Sequence, residues 1–383
     1  MYKLLIIFLF ISLPFYAQKS YNFSSIDSLS YNYYINGNWE KLFEISKVAE
    51  LNNINFKFLQ QRVGYAYFLK GDYFSAQYHY EKALKFDEYD VDTRTYLYYC
   101  GLFTSNFANA RFHANKLTLK NQEAIHFKPF ALISLLDFEY NYKANNSNTR
   151  SSPNYMRGGV GTNFNSKLNL YQSMSTYSQV IETYSIKQDE YFALMGWTVS
   201  PHLVINAAYH YINAQIDSAI YTSNYIGNLG FIKLSSTFNR FDVGFSGSML
   251  NNYSGYTSQI GLQAGVQLPG KANIYLQSSL YTLTDSTSNR IVFSQSIGGL
   301  VFKKLWIKGS VTLGNLKNYT DNNGLYVYNS IDPTIFRTAL STFWKLSPNL
   351  TLFGNYTYDI KNITNINTNY NQHSFSTGII WNI

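Results

Sequence analysis

Two spacings of apolar residues divide the chain. Through the first third, apolar side chains recur at the 3.6-residue period of a helix, and from about residue 131 the period changes to two. Over 203–211, for example, one face of the segment is apolar or aromatic and the other is small or polar. The change of period predicts an α+β multidomain chain, with helices over 18–125 and a β domain over 126–383.

The alternating segments run ten to fourteen residues. Strands of a soluble β-sandwich, which is the alternative, average about five or six residues, whereas a tilted strand that crosses a membrane needs about 9–11. The candidate strands lie at 131–142, 154–164, 167–179, 187–199, 202–212, 225–236, 239–250, 257–268, 271–283, 290–302, 304–314, 335–346, 349–360 and 372–383.

The connections between these segments are alternately long and short. Asn-rich stretches at 143–154 and 315–334 alternate with tight turns such as Ser200-Pro201. Bacterial outer-membrane barrels have short periplasmic turns, longer outer loops and an even number of strands. We therefore expect an antiparallel transmembrane β-barrel of about 14 strands, surrounded by outer-membrane lipid. An even strand count leaves both barrel ends, and the helical domain with them, in the periplasm.

The first 17 residues have the order of a secretory signal peptide. Lys3 follows the first two residues, an apolar run extends over 4–15, and Ala17 is a small residue before a polar stretch. Because the apolar run is too short to span a bilayer as a helix, we expect cleavage after Ala17. An uncleaved buried helix is the alternative.

The last strand carries the most specific pattern in the β domain. Its sequence, "SFSTGIIWNI", resembles the terminal signal by which the barrel assembly machinery recognises outer-membrane barrels, on Ser376, Gly378, Trp381 and Ile383. The final residue is aliphatic where that signal has Phe, and Trp381 supplies an aromatic side chain nearby. The alternative is an ordinary last strand of any β domain.

A three-residue turn recurs at an interval of 34 residues in the helical third. It reads Gly-Asn-Trp at 37–39, Gly-Asp-Tyr at 71–73 and Ser-Asn-Phe at 105–107. Residues 57–90 resemble a tetratricopeptide repeat, with small residues where helices approach closely and aromatics in the remaining space. The matching positions are Gly64, Tyr67, Ala76, Tyr80 and Ala83, and Glu88 replaces the usual proline.

That resemblance implies a groove, lined by the first helix of each pair, that binds a periplasmic protein partner. The groove residues would be Tyr31, Tyr34, Gln61, Tyr65, Phe68, Thr95, Tyr99 and Leu102. The alternative is a stack that serves only as a spacer. The proline at 129 and the short apolar connection before the first strand predict a stack held close to the barrel mouth, with Phe127 and Phe130 at the junction. The alternative is a mobile stack on a short linker.

Some charged residues fall at the polar positions of the alternating strands, and we expect their side chains to face the barrel lumen. They are Asp137, Glu139, Arg157, Asp242, Lys308, Arg337, Lys345 and Asp359. These residues form either a lumen-filling network of salt bridges or the wall of a conduction path. From residue 126 onward there are 17 Lys and Arg against 11 Asp and Glu, which favours an anionic solute.

Composition argues against several other functions. Cys100 is the only cysteine, so no intramolecular disulfide forms, and we expect it to be a packing residue. The six histidines lack metal-ligand spacing, and no phosphate-binding loop is present, so we expect no enzyme, cofactor or metal. The helical third has 12 Lys and Arg against 11 Asp and Glu, so nothing there predicts nucleic-acid binding.

The order of the domains resembles two groups of bacterial proteins, the YaiO-like outer-membrane proteins and the exopolysaccharide exporters. Both place helical repeats before a barrel. The first hypothesis is therefore a membrane-anchored scaffold or assembly factor that docks a periplasmic protein. The alternative is a channel for a polysaccharide or another solute across the outer membrane.

Overall fold

The computed structural model describes residues 21–383 apart from residue 271 and residues 364–367, so the predicted signal peptide lies outside the described residues. Helices come first along the chain and strands follow. The helices are α1 (Phe23–Ile35), α2 (Trp39–Leu51), α3 (Lys57–Leu69), α4 (Tyr73–Leu84), α5 (Val91–Phe103), α6 (Phe107–Ala114) and α7 (Leu119–Ala124).

The strands are β1 (Ala131–Asn145), β2 (Asn154–Asn163), β3 (Leu168–Ile181), β4 (Tyr184–Ser200), β5 (Leu203–Ser218), β6 (Thr222–Phe238), β7 (Phe241–Asn252), β8 (Gly255–Gln267), β9 (Tyr275–Asp285), β10 (Asn289–Phe302), β11 (Leu305–Leu313), β12 (Thr320–Asp321), β13 (Tyr326–Val327), β14 (Thr334–Lys345), β15 (Leu350–Ile363) and β16 (Thr368–Asn382).

The three recurring turns share one backbone geometry. Gly37, Gly71 and Ser105 all have positive φ, at 64°, 79° and 58°, which reverses the chain after each first helix. The next residue, Asn or Asp, caps the second helix by accepting a hydrogen bond from a backbone N–H three residues on. The predicted turns therefore join α1 to α2, α3 to α4 and α5 to α6.

Small residues let the paired helices pack closely. A Cβ at Gly64 would lie 3.2 Å from the ring of Tyr80, and one at Gly101 would lie 2.7 Å from the backbone nitrogen of Ala110. Cys100 is fully buried in the same core, as predicted for a packing residue. Burial raises the pKa of its thiol, which keeps it protonated.

Fourteen strands, all of those above except the two-residue strands β12 and β13, close into an antiparallel barrel. The closing pair is β1 with β16, in a register that places Leu135 opposite Asn382. Both ends of the barrel therefore lie on the side where α7 enters, here called the helix-side end. The opposite end is the far end. The predicted strand number and antiparallel arrangement are confirmed.

Alternation separates an apolar outer face from a mostly polar inner face. On β8, Ile260 and Leu262 are 54% and 58% exposed, whereas the inward Gln259 is 3% exposed. Comparable outward residues on other strands include Phe138, Met195, Ile232, Phe245, Leu340 and Ile379. No helix within the described residues is both long and apolar enough to cross a membrane.

The strands reach further toward the far end than the sequence predicts. The strand expected at 225–236 occupies Thr222–Phe238, and the one expected at 187–199 occupies Tyr184–Ser200. A larger difference concerns the long join expected as an outer loop at 315–334. This segment turns back into the barrel, where the side chains of Leu316, Tyr319 and Thr320 are almost wholly buried.

Candidate functional site

The barrel lumen is occupied in part by residues 314–333, here called the inner loop. One end packs its apolar side chains on the inner wall, since Leu316 and Tyr319 cluster with Tyr281, Leu283 and Val292. The edge of the Tyr319 ring meets the Tyr281 ring at a centroid distance of 5.2 Å. Burial of this apolar surface fixes the start of the inner loop inside the barrel.

The backbone of the inner loop is tied to the wall by amide side chains. Gln259 bonds Thr320 twice, by accepting from its N–H at 2.9 Å and by donating to its carbonyl at 2.9 Å. Asn318 donates to Thr257 Oγ1 at 3.0 Å and accepts from Asn252 at 2.9 Å. Inward amides on β7 and β8 thus replace the backbone partners that a buried loop would otherwise lack.

The tip of the inner loop reaches the wall at β5. The Gly324 carbonyl lies 2.9 Å from His210 Nδ1, and a Cβ at Gly324 would lie 3.4 Å from Leu229 and Phe231. His210 is 1% exposed, and its Nε2 lies 3.3 Å from Glu190 Oε2. Glycine suits this position because its φ is +93° and the approach to the wall is close.

Two networks connect inner-loop tyrosines to predicted lumen charges. In the first, Arg157 contacts Asp137 at 2.6 Å and Glu139 at 3.1 Å, and the Tyr326 hydroxyl donates to Glu139 at 2.7 Å. The Tyr171 hydroxyl also contacts Arg157. Arg157 is thus shared between two carboxylates, which leaves little of its charge free for a solute.

In the second network, Arg337 holds Asp359 through two hydrogen bonds of 2.6 Å each. The guanidinium also lies over the ring of Tyr328, 4.6 Å from its centroid, and contacts the Tyr328 hydroxyl. Asp359 is fully buried. This paired geometry is the strong form of an arginine–carboxylate contact, and it fixes the second half of the inner loop to β14 and β15.

The inner loop ends in a third polar cluster at the far end. Asp332 accepts from Arg150 at 2.9 Å and from the Tyr370 hydroxyl at 3.0 Å. The Lys361 ammonium donates to Ser330 Oγ at 3.0 Å and to the Asp332 carbonyl at 2.9 Å. The inner loop is therefore attached to the wall along its whole length, from β7 around the barrel to β16.

A cavity of about 1040 Å³ remains between the inner loop and the wall. It follows the lumen from inward residues such as Asp137 and Lys233 to Lys361 and Gln372. Its lining mixes charged, amide, hydroxyl and aromatic side chains. Such a space can hold water and a small polar solute, but the inner loop excludes a wide passage.

Most of the predicted lumen residues line or adjoin this cavity. Asp137, Glu139, Arg157, Lys308 and Arg337 line it. Asp359 is held by Arg337, and Asp242 accepts from the Tyr275 hydroxyl at 2.9 Å near the helix-side end. Lys345 is the last residue of β14 and is exposed.

Three lysines that the sequence did not assign to the lumen line the cavity, namely Lys143, Lys233 and Lys361. Lys233 lies within an expected strand, whereas the other two lie beyond expected strand ends. Lys143 and Lys361 line the cavity and share the inward phase of Asp137 and Asp359 on their strands. The strands that carry Lys143 and Lys361 are expected to end at 142 and 360, one residue before each lysine, whereas β1 and β15 continue to Asn145 and Ile363. The alternation of inward and outward residues continues through Lys143 and Lys361. Extending each strand for as long as this alternation lasts, instead of ending it at the first polar stretch, would place both lysines in the lumen.

The helices contact the barrel through one side of its helix-side rim. Arg240, in the turn between β6 and β7, donates to Asp72 at 2.5 and 2.7 Å. His202, in the turn between β4 and β5, lies 3.3 Å from Glu81, and Arg111 donates to the Ser166 carbonyl at 3.3 Å. Hydrogen bonding to Glu81 raises the pKa of His202.

This contact is narrower than the sequence predicts. Asn109 donates to the Pro201 carbonyl at 3.4 Å, whereas the described residues of the turn at 346–349 make no polar contact with a helix. Phe127 packs its ring edge-on to Tyr98 within the helical region, and Phe130 is 60% exposed. The stack therefore sits to one side of the mouth, over the turns that follow β2, β4 and β6.

The predicted groove residues differ in exposure: some pack against neighbouring side chains, one is exposed, and the others are half-buried. Tyr65 meets the rings of Tyr34 and Tyr96 at 5.6 Å each, and Gln61 donates to Asp90 and Thr93. Among the others, Tyr31 is 53% exposed. Phe68, Thr95, Tyr99 and Leu102 are half-buried.

The residues of the predicted assembly signal lie on both faces of β16. Trp381 and Ile383 are 51% and 60% exposed, and Ser376 is buried on the inner face. A Cβ at Gly378 would overlap the carbonyl oxygen of Phe138 on β1. A glycine is therefore required at this point of the closing pair.

Two histidines of the helical region are buried and neutral. Burial lowers the pKa of His79 to about 4 and that of His113 to about 3. His79 Nδ1 lies 2.7 Å from Gln60 Oε1, and His113 Nδ1 lies 3.3 Å from Arg94. No group of three or more His, Cys, Asp or Glu side chains within the described ranges is placed to hold a metal ion.

Comparison with proteins of known structure finds other barrels. The class that the fold defines is a closed fourteen-stranded antiparallel β-barrel with a helical N-terminal region. No protein-family model matches the chain, and no curated protein matches it.

Three solved structures illustrate the similarity. The outer membrane protein Omp33 of Acinetobacter baumannii is 11% identical over 66% of this chain and 99% of its own, with a TM-score of 0.38. A bacterial polysaccharide outer membrane secretin is 9% identical over 66% and 99%, with a TM-score of 0.40. The toluene transporter TodX of Pseudomonas putida is 6% identical over 67% and 90%, with a TM-score of 0.45.

Proposed function

We propose that the protein is an outer-membrane channel for small polar solutes, with a lumen narrowed by the inner loop. The observation that carries the proposal is the cavity of about 1040 Å³ that continues past the inner loop along a charged wall. The apolar outer face of the strands suits a lipid surrounding, and the polar inner face suits water. The inner loop limits the size of the solute, so passage of a polysaccharide chain would need its displacement.

Planar-bilayer conductance tests this proposal. The wild-type protein is compared with a variant in which residues 317–332 are replaced by Gly-Ser-Gly. Since the Leu316 N–H already bonds the Thr334 carbonyl at 2.8 Å, a short linker can join β11 to β14. We expect a small conductance for the wild type and a conductance several times larger for the variant.

A matched control inserts Gly-Ser-Gly into the exposed turn at 219–221, which lies at the same end of the barrel. This insertion should leave the conductance unchanged, because the turn does not enter the lumen. Absence of conductance from both the wild type and the variant with the shortened inner loop, with both correctly assembled, would contradict a channel function.

A second function, docking of a periplasmic protein on the helical groove, is favoured by a separate observation. The polar contacts between described helix and barrel residues come from α4, α6 and the turn before α4. The faces of α1, α3 and α5 that carry the predicted groove are left for a partner.

Tyr31→Ala tests docking better than a change at Tyr65, because Tyr31 is 53% exposed while Tyr65 supports its neighbours. If the groove docks a protein, Tyr31→Ala should reduce capture of the same copurifying periplasmic protein, as measured by quantitative mass spectrometry. Leu51→Ala, at an 83% exposed position outside the groove, is the control and should not change capture. Equal capture by all three proteins would argue against groove binding.

A further inference from the structure

Three neighbouring strands place three polar side chains side by side on the inner wall. In the barrel register, Lys143 on β1 lies opposite Ser374 on β16, and Ser374 lies opposite Thr357 on β15. All three residues line the cavity. The row thus presents an ammonium group and two hydroxyl groups at one level of the lumen.

The polar ends of this row have no hydrogen-bond partner in the described part of the chain. Ser374 Oγ and Thr357 Oγ1 are buried without a partner, and their residues are only 2% and 6% exposed. No described carboxylate lies within 4.0 Å of the Lys143 ammonium, whose aromatic neighbour Tyr177 is centred 5.3 Å away. Buried polar groups normally have partners, so the two hydroxyl groups require an explanation, and the half-buried Lys143 ammonium beside them adds an unpaired charge.

The contrast with the other lumen cations makes the row distinctive. Arg157 and Arg337 are each held by carboxylates, and Lys361 donates to two oxygens of the inner loop. Lys233 contacts the amide of Gln263. Lys308 also has no carboxylate within 4.0 Å, and Asn141 Oδ1 and the Tyr155 hydroxyl are further cavity-lining atoms without a partner. Among the described lumen cations, Lys143 is distinguished by lying opposite a buried hydroxyl group that has no partner.

The chemistry of the row identifies what would complete it. An ammonium group offers three donors and each hydroxyl offers one, so the row can donate up to five hydrogen bonds. A carboxylate or phosphate consists of oxygen acceptors, and its hydrogen bonds to an ammonium group are charge-assisted. A cation would be repelled by Lys143. A neutral alcohol could accept a hydrogen bond from the ammonium group, but it would lack the attraction between opposite charges.

We propose that Lys143, Ser374 and Thr357 form a binding site for a small anionic solute that carries a carboxylate or phosphate group. This inference rests on the proposed channel function, because it names the class of solute that the lumen selects. The ion pair of Arg337 with Asp359 lies beside the site. Asp359 lies opposite Gln372, so it belongs to the neighbouring row of inward-facing residues, and the pair supports the wall there.

Block of chloride current by inorganic phosphate or succinate tests the site in the full-length channel. Lys143→Gln should raise the half-blocking concentration by about tenfold or more, as expected for the loss of a charge-assisted hydrogen bond. Ser374→Ala and Thr357→Val should each raise it about threefold. Lys308→Gln is the matched control, because Lys308 also lines the cavity without a carboxylate within 4.0 Å but lies on β11.

The hydroxyl variants separate a solute site from a purely structural role. Removing a buried hydroxyl that has no partner should not lower the stability of the barrel, so heat-modifiable migration on gels should be unchanged. A half-blocking concentration that is the same in Lys143→Gln and the wild type, or that shifts equally in Lys308→Gln, would overturn the proposal. In that case water in the lumen, and not a solute, would be the hydrogen-bond partner of Lys143, Ser374 and Thr357.

Isothermal titration of the detergent-solubilised protein with phosphate or succinate distinguishes failure of the site from failure of the channel. Binding that Lys143→Gln abolishes, in a protein that does not conduct, would support the site and contradict the channel function. Conduction without binding or block would support the channel and contradict the site.

Discussion

Arg240→Ala should release the helical stack from the barrel without unfolding either part. The Arg240 guanidinium donates to both carboxylate oxygens of Asp72, at 2.5 and 2.7 Å, and to Ser75 Oγ at 3.2 Å. It also lies over the Phe74 ring, 5.6 Å from the centroid. Asp72 additionally caps α4, so the substitution is made on the barrel side, where no helix depends on it.

The magnitude follows from the partial exposure of this contact. Hydrogen bonds to charged groups contribute about 1.5–3 kcal/mol when buried, whereas exposed ion pairs contribute about 0.2–1 kcal/mol. The two side chains are 18% and 26% exposed, so the contact lies between these limits. We expect Arg240→Ala to weaken docking by about 1–2 kcal/mol, which changes the ratio of docked to undocked molecules roughly 5- to 30-fold.

Distance measurement between spin labels at Phe58→Cys and Asn349→Cys, in a Cys100→Ser background, reports docking directly. The wild-type contact should give one narrow distance distribution, and Arg240→Ala should broaden it. Lys303→Ala is the control, because it removes an exposed cation from another helix-side turn. A distribution that stays narrow in Arg240→Ala would refute the assigned role of this ion pair.

Three further predictions concern other elements. Because the pKa of His202 is raised by Glu81, docking should be strongest below the ordinary histidine pKa and should weaken as pH rises through the raised pKa; the same label pair should then broaden. Gly378→Ala should sharply reduce heat-modifiable barrel on gels, whereas Gly309→Ala, with no atom within 4 Å of its added Cβ, should not. Cys100 should react with a maleimide only after denaturant unfolds the helices, and labelling in native buffer would contradict its burial.

The helices and strands could be predicted from the sequence because their signals are local. A helix period, three similar turns and strict alternation each depend on residues a few positions apart. Alternation also assigned Asp137, Arg157 and Arg337 to the inner face, since phase alone decides the face of a strand. It missed Lys143 and Lys361 because the strand ends were placed too early, and it missed Lys233 although this residue lies within an expected strand.

The inner loop shows what local patterns leave open. Its length exceeds that of an ordinary connection, and its aromatic residues Tyr319, Tyr326 and Tyr328 are unusual for a solvated loop, so a functional segment could have been suspected. Its direction could not be predicted, because partners such as Gln259 and Glu139 lie far away in sequence.

The sequence by itself thus determined the order of helices and strands, the number of barrel strands and the phase of each strand. Only the tertiary structure decided which charges are neutralised. The closing register brings Lys143 beside Ser374, while the inner loop supplies tyrosine partners to Arg157 and Arg337. The physical reason is that side-chain pairing is fixed by long-range closure of the chain, and a periodicity of two carries no information about which strand or loop lies opposite.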